Sequence, residues 1–198
     1  MNHKVSIIIP YNIDRGYLDD AIKSAEGQGE IILSQSDRSV GYNVNIGMRF
    51  VKTPYFCILA EDDLLTPNAI KDRLEAIGDA DWLHSNGEGF TPEGQIIGFP
   101  WADSDPTLQG MLKFNQIVGS TTLYKTDLGR LFPWDDSLIT AEEYDFHLRL
   151  LYQGIIPAYL DKVTFRYRRH LEQKSLGVNA NQKERQRVVE SIRARYTR

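Results

Sequence analysis

Three consecutive acidic residues follow a short apolar segment in the first half of the chain. Residues 55–59 predict a buried strand, and Glu61, Asp62 and Asp63 come directly after it. In open α/β sheets, ligands bind beyond the carboxyl ends of the strands. Clustered carboxylates repel one another unless a cation lies between them, and carboxylate oxygens suit a hard divalent metal ion. Taken alone, the stretch favours a solvated acidic turn slightly over a metal site, and the rest of the sequence reverses that order.

The composition is typical of one soluble globular domain. The 198 residues are 41% hydrophobic and 25% charged, and the net charge of −4 gives no reason to expect a nucleic-acid partner. From Lys162 onward, eleven basic and three acidic residues give a net charge of +8, so the preceding part carries −12. This division predicts that the basic end contacts phosphates, an anionic surface or the acidic body.

The single cysteine and the apolar segments indicate a cytoplasmic, soluble protein. Cys57 lies inside an apolar run and is read as a buried structural thiol. The first apolar run covers residues 5–9 and ends at Pro10. It is too short for the core of a signal peptide or for a membrane span.

Strands and helices alternate through the first half of the sequence. The predicted elements are a strand at 4–10, a helix at 17–28, a strand at 30–33, a helix at 43–52, a strand at 55–59 and a helix at 67–77 capped by Thr66. This order predicts a parallel sheet with right-handed crossovers. Neither a G-x-G-x-x-G motif after the first strand nor a Walker A motif is present, which argues against a dinucleotide or P-loop site.

The second half is predicted to be more mixed. We expect a hairpin of strands at 81–85 and 95–99, a short helix at 108–114, a strand at 117–124, a helix at 140–152, a strand at 163–168 and a basic helix at 181–195. Residues 176–182 are the best candidate for a hinge.

Six segments, in order, resemble the family 2 glycosyltransferases. Residues 5–12 are similar to the family's opening strand, residues 18–28 to its first helix and residues 41–47 to the segment before its metal motif. Residues 60–63 stand where that family carries D-x-D, residues 141–150 resemble its E-D helix, and residues 165–175 resemble its closing strand and basic loop. No single motif is strong, and the resemblance rests on their joint order across residues 4–175.

The resemblance implies a GT-A fold, with a Rossmann-like, mostly parallel sheet, flanking helices and a smaller mixed sheet on the acceptor side. Residues 1–175 would form this domain, with a nucleotide-sugar half at about 1–99 and an acceptor and catalytic half at 100–175, followed by a basic helix at 176–198. The implied activity is inverting transfer of a hexose or N-acetylhexosamine from a nucleotide diphosphate sugar, by default a UDP-sugar. The acceptor would be a glycan, lipid-linked or protein hydroxyl, and Mn²⁺ or Mg²⁺ would bind the diphosphate.

The resemblance also implies a metal site formed by Asp62, Asp63 and His170. The sequence departs from the family at Ala60, which replaces the first aspartate of D-x-D. Either Glu61 or Asp63 compensates for this loss, or the metal is held less tightly. For Asp63, an acid that favours the dipole of the following helix is an equal alternative, and for His170 the alternative is a solvated residue of a basic loop.

The general base of the implied reaction is Glu143, with Glu142 as the second candidate. A structural interpretation competes with this role, because Thr140-x-x-Glu143 has the pattern of a capping box. Asp145 and Arg149, four residues apart, are expected to form an ion pair on one face of the same helix.

The donor site implied by the resemblance draws on the loops at the strand ends. Its predicted residues are Pro10, Tyr11, Asn12, Gln35, Asp37, Asn43, Glu61, Arg168, Arg169 and Lys174. Gln35 stands about where the family has an aspartate that binds uracil. The sequence therefore does not decide which nucleobase the donor carries. A solvated basic patch is the alternative for the last three residues, and Arg38 is a further phosphate candidate. Trp101, Asp103 and Trp134 are candidates for the acceptor site, with core packing as the alternative for Trp134.

Two other functions fit parts of the sequence. Ala60 and the Gln35 loop suit a non-catalytic nucleotide-sugar-binding module. A nucleotidyltransferase would share carboxylates at strand ends, but residues 10–14 lack its glycine-rich basic loop. The basic C-terminal helix suits contact with an anionic membrane surface or a partner protein, although its thin apolar stripe favours packing on the acidic body.

Overall fold

The computed structural model describes residues 3–98, 103–173 and 181–197. Its strands are β1 (Val5–Tyr11), β2 (Glu30–Gln35), β3 (Tyr55–Ile58), β4 (Leu64–Leu65), β5 (Trp82–Phe90), β6 (Ile96–Ile97), β7 (Leu123–Lys125) and β8 (Ala158–Arg168). Its helices are α1 (Leu18–Ala25), α2 (Val40–Met48), α3 (Ala69–Ala76), α4 (Leu108–Lys113), α5 (Thr126–Leu131), α6 (Glu142–Tyr152) and α7 (Gln182–Ala194). Trp101, Lys174 and most of the predicted hinge lie outside the described residues.

The strands of the described residues form one mixed sheet in the order β2-β1-β3-β7-β5-β8-β4, and β6 pairs with β5. In the first half, β1 pairs in parallel with both β2 and β3, as the alternation of strands and helices predicts. In the second half, β7 runs antiparallel to β3 and β5, and β8 runs parallel to β5. The strands of the second half therefore continue the sheet of the first half, and the described residues do not form the separate smaller sheet that the resemblance implies. The predicted hairpin is the antiparallel pair β5 and β6.

Both faces of the sheet are buried under helices. Successive residues of its central strands point to opposite sides and so enter two different core clusters. In β3, Phe56 and Ile58 belong to one core cluster, whereas Cys57 belongs to the other. The first cluster includes residues of α2, α4, α5, α6 and α7, and the second includes residues of α1 and α3. Burial raises the pKa of the Cys57 thiol to about 11, which fits the predicted structural role.

Two helices begin at other residues than predicted. α2 begins early because the Ser39 side chain caps it, accepting a hydrogen bond of 3.2 Å from the backbone N–H of Tyr42. Thr66 does not cap α3. Its hydroxyl donates to the carbonyl of Val163 at 3.2 Å, and the helix begins after Asn68, which has a left-handed φ of 64°.

The predicted strand at 117–124 is largely wrong, and a buried arginine explains the difference. Residues 119–121 form a 3-10 turn, and only β7 is extended. The guanidinium of Arg73, which is 0% exposed, donates to the carbonyls of Ser120 and Thr122 at 2.9 and 3.0 Å and to the Thr164 hydroxyl at 2.9 Å. These carbonyls accept hydrogen bonds from a buried side chain, a partner that the local pattern of residues 117–124 does not contain.

The basic helix α7 packs against the body, as the thin apolar stripe favours. Ile192 is fully buried in the cluster that contains α6 residues. Arg193 donates to the hydroxyl of Tyr144 at 3.1 Å, and Arg195 forms an ion pair with Asp145 at 3.0 Å. In the described part of the chain, no helix has both the length and the apolar character needed to cross a membrane.

Candidate functional site

The loops after β1, β3 and β8 meet around the acidic stretch. The Asp62 carboxylate and the His170 imidazole lie 3.0 Å apart, from Oδ2 to Nε2. The side chain of His170 is only 5% exposed, and its ring lies 4.9 Å from that of Tyr17. Two residues that are 108 positions apart in the sequence are thus brought together, as the resemblance implies.

Asp63 faces inward. Its carboxylate is buried and accepts a hydrogen bond of 2.9 Å from the backbone N–H of Arg168. Burial, reinforced by the charge of Asp62, raises the pKa of the Asp63 carboxyl well above its usual range. The Asp63 side chain therefore connects the loop after β3 to the end of β8 in the protein interior.

Glu61 forms an ion pair with Arg15, a residue of the loop after β1 for which no role is predicted from the sequence. Arg15 Nη1 lies 2.6 Å from Glu61 Oε1, and Arg15 Nε lies 3.9 Å from Glu172 Oε2. Burial and the Asp62 charge raise the pKa of Glu61 to about 7, although Arg15 acts in the opposite direction. Arg15 thus links the loops that follow β1, β3 and β8.

Arg168 contacts several residues around the acidic loop from within the protein. Its guanidinium lies 4.5 Å from the Tyr17 ring centroid and 4.7 Å from that of Phe90, and it pairs with Asp20 at 3.0 Å. Its Nε also donates to the backbone carbonyl of Asp62. Because the residue is only 4% exposed, the structure places Arg168 as a support for the acidic loop, with little surface for a diphosphate.

The other predicted cation, Arg169, is half-buried. Its backbone N–H donates to the carbonyl of Phe90 at 2.8 Å, and its guanidinium lies 5.9 Å from the Tyr167 ring centroid. Lys174, predicted beside it, lies outside the described residues.

The predicted nucleoside residues gather where β1 and β2 end. Asn43 is fully buried in α2 and donates to the carbonyls of Tyr11 and Ser36 at 3.0 and 3.3 Å. It therefore fixes the two loops and offers no open edge to a base. Tyr11 is half-buried, and Pro10 is buried in β1. Three predicted residues are exposed, namely Asn12, Gln35 and Asp37.

The donor set for a metal ion is smaller than predicted. Within residues 3–98, 103–173 and 181–197, no three His, Cys, Asp or Glu side chains are grouped to hold a metal ion. Asp63 is engaged with Arg168, and Glu61 with Arg15. Two side chains, Asp62 and His170, are therefore placed to bind Mn²⁺ or Mg²⁺. Phosphate oxygens would have to supply further ligands.

The candidate base lies at the start of α6, and the capping box is absent there. The N-cap is Ala141, with a left-handed φ of 62° and no side-chain cap, and the Thr140 hydroxyl accepts from Arg185 at 2.8 Å. Glu142 is buried, whereas Glu143 is half-buried beside Gly119, where an added Cβ would lie 3.0 Å from Glu143 Cγ. Glu143 is thus the more accessible carboxylate.

The remaining predicted residues have structural partners. Arg149 pairs with Asp145 at 2.9 Å, as predicted. Trp134 is 3% exposed, and its ring stacks on Phe146 at 3.7 Å, so it belongs to the core and not to an open acceptor site. Asp103 accepts a hydrogen bond from Gln116.

Two features lie apart from the acidic loop. The guanidinium of Arg38 lies 4.0 Å from the Tyr42 ring centroid. A surface cavity of about 440 Å³ at the amino end of β3 is lined by Lys52, Lys125 and Arg130, among others, and by no predicted site residue.

Comparisons with known proteins show the fold. Neither a protein-family model nor a curated protein matches this chain. The crystal structure of S. aureus TarS 1–349 matches with a TM-score of 0.63 and 15% identity, over 83% of this chain and 60% of that one. The chain thus spans about 60% of the length of that structure.

Two complexes of the same TarS fragment also match at 15% identity. The complex with UDP-GlcNAc has a TM-score of 0.69 over 98% of this chain and 71% of that one, and the complex with UDP has 0.66 over 84% and 60%. At this identity the similarity shows the fold alone. The predicted fold class is confirmed, since the curled mixed sheet with flanking helices is similar to the fold of TarS.

Proposed function

We propose that the chain is an inverting glycosyltransferase that uses a nucleotide diphosphate sugar, by default a UDP-sugar. The observation that carries the proposal is the pairing of Asp62 with His170, 3.0 Å apart, at the ends of β3 and β8. The fold is that of TarS, for which complexes with UDP-GlcNAc and UDP exist. A hexose or N-acetylhexosamine, moved to a glycan, lipid-linked or protein hydroxyl, is the finer part of the proposal.

Asp62 and His170 are the residues that would hold Mn²⁺ or Mg²⁺. Such an ion, when bound, supplies positive charge to the diphosphate leaving group. Asp63 supports this pair by fixing the backbone of Arg168, two residues before His170. Tyr11, at the end of β1, is the residue we propose for the face of the base.

The transfer itself needs one base and no nucleophile from the protein. The acceptor hydroxyl oxygen attacks the anomeric carbon from the side opposite the diphosphate. The bond between that carbon and the diphosphate oxygen breaks, and its electron pair leaves with the diphosphate. The hydroxyl proton passes to the Glu143 carboxylate, which the half-buried start of α6 presents next to Gly119.

A nucleotide-sugar-binding module without catalysis is the second candidate. It is favoured by Ala60 and by the engagement of Glu61 and Asp63 within the protein. The two functions differ in turnover and share the donor site.

Calorimetric titration with UDP and GDP, each with and without Mn²⁺, tests the donor site in the wild type and in Asp62→Ala. We expect binding of one nucleotide that Mn²⁺ strengthens, and a loss of that effect in the variant. Binding of neither nucleotide under any metal condition would overturn the proposal. Hydrolysis or transfer of a bound donor, lost in Glu143→Gln, separates the enzyme from the binding module.

A further inference from the structure

Arg15 lies beside the proposed donor site and has unused hydrogen-bonding capacity. Its Nη1 donates to Glu61 and, at 3.4 Å, to the carbonyl of Ile13. Among the residues that the structure describes, Nη2 has no hydrogen-bond partner. A guanidinium has five N–H donors in a planar fork, and a fork of this kind matches phosphate oxygens.

The second acidic contact of Arg15 is weak. Arg15 Nε and Glu172 Oε2 are 3.9 Å apart, and the Glu172 side chain is 66% exposed. Exposed pairs at such a distance contribute little, because water and salt screen them. An arriving anion can therefore replace Glu172 at this side of the guanidinium at small cost.

Arg15 also supplies an accessible positive charge at the acidic loop. It pairs with Glu61, the residue before Asp62, and 23% of its side chain is exposed. Arg168, one of the three cations that the resemblance implies for the diphosphate, is buried between two rings. Arg15 is thus the more accessible of these two arginines.

We propose that Arg15 is a donor-binding residue that contacts the diphosphate through its free guanidinium edge, next to the Asp62 and His170 pair. This inference rests on the proposed function, since it requires a nucleoside diphosphate in this site. In it, the Glu61 carboxylate, which pairs with the guanidinium before binding, competes with the diphosphate for the positive charge of Arg15.

Calorimetry with UDP and with uridine tests the proposal, because only UDP carries the diphosphate. We expect Arg15→Ala to weaken UDP binding by about 10- to 100-fold and to leave uridine binding unchanged. Arg15→Lys should recover part of the loss, since it keeps the charge without the fork. Glu61→Gln should bind UDP at least as tightly as the wild type, because it releases the guanidinium.

Arg130→Ala is the matched control. Arg130 also forms a surface ion pair, with Asp127 at 3.3 Å, but it lies near Val51, at the amino end of β3. The variant Arg130→Ala should bind UDP with the same affinity as the wild type. Equal UDP affinity in the wild type and in Arg15→Ala would overturn the role of Arg15. An equal loss of UDP affinity in Arg15→Ala and in Glu61→Gln would overturn it too. In either case the proposed function would stand. A wild type that binds neither UDP nor GDP would overturn the proposed function and this inference with it. If the wild type binds GDP alone, the same comparison is made with GDP and guanosine.

Discussion

The backbone N–H of Arg168 donates a hydrogen bond of 2.9 Å to Oδ1 of Asp63, inside the protein. This contact gives two adjacent aspartates different roles. Asp63 is 2% exposed and joins the loop after β3 to the end of β8. Asp62 faces His170 instead and is available to a ligand.

Asp63→Ala should therefore lower stability, whereas Asp62→Ala should lower ligand binding. The alanine leaves the buried N–H of Arg168 without its acceptor, which costs about 1–3 kcal/mol. Urea denaturation should show this loss for Asp63→Ala and a change below about 0.5 kcal/mol for Asp62→Ala. Asp63→Asn is the control, because its side-chain oxygen keeps the acceptor without the buried charge, and it should be at least as stable as the wild type. Equal stability of the alanine and asparagine variants at position 63 would contradict this role.

Arg73 should not be replaceable by lysine. The guanidinium contacts two backbone carbonyls and the Thr164 hydroxyl in directions that an ammonium on a flexible stem does not reproduce. We expect Arg73→Lys to reduce the free energy of unfolding by about 2–4 kcal/mol, since buried polar groups lose partners. The urea midpoint measures this loss.

Lys71→Ala is the comparison on the same helix. Lys71 is 69% exposed and lies 3.9 Å from Glu75, so its replacement should change stability by less than about 0.5 kcal/mol. A similar urea midpoint for Arg73→Lys and Lys71→Ala would show that the hydrogen bonds of Arg73 do not stabilise the fold.

Two histidines that are buried in the neutral form should each lower the free energy of unfolding as the pH drops below 6.5, whereas the raised pKa values of Glu61 and Asp63 act in the opposite direction. Burial lowers the pKa of His84 to about 4 and that of His147 to about 3. His147 accepts or donates one hydrogen bond of 2.6 Å with Tyr124, and neither ring nitrogen of His84 has a partner among the described residues. The unfolded chain takes up protons near pH 6.5, while the folded chain does so only nearer pH 4 or 3, so acid favours unfolding.

Each histidine should contribute a slope of about 1.4 kcal/mol per pH unit below pH 6.5. Urea denaturation from pH 7 to 4.5 measures the slope, which should become shallower in His147→Gln and in His84→Gln. His3→Gln is the control, because His3 precedes β1 and lies outside both core clusters, and it should keep the wild-type slope. A slope that none of the three substitutions alters would assign acid sensitivity to other groups.

Ile192→Ala should loosen the basic helix. Ile192 is fully buried, and truncation of such a side chain costs about 2–4 kcal/mol. Amide hydrogen exchange should become faster across residues 182–194, while exchange in the central strands should change less. Lys183→Ala, on the exposed side of the same helix, should leave exchange unchanged. Fast exchange already in the wild type would contradict a docked helix.

The sequence predicts the first sheet well because its cues are local. A β-branched run at 5–9 forms a strand buried on both faces, and the acids after β3 lie at the strand end. The pairing of Asp62 with His170 follows from the family resemblance, which supplies the order of motifs that are far apart in sequence.

Other features depend on partners that a local pattern does not contain. Thr140 has the pattern of a cap, yet Arg185 of the distant α7 takes its hydroxyl. Residues 117–124 have the composition of a strand, yet Arg73 binds their carbonyls. Arg15 carried no signal, since its position beside Glu61 depends on a contact across 46 residues.

The bulged pairing of β5 with β8 has a consequence for insertions and deletions. β5 advances two residues from Ser85 to Gly87, while β8 advances five, from Leu160 to Phe165. This extra length sets which side chains of β8 point to each face, and hence that Arg168 faces Asp20 and Asp62. Loss of a single residue at Asp161 would move Arg168 to the place of Tyr167, on the opposite face of the strand, and Arg169 to the place of Arg168. The spacing of this irregular stretch therefore constrains how the gene can change in length.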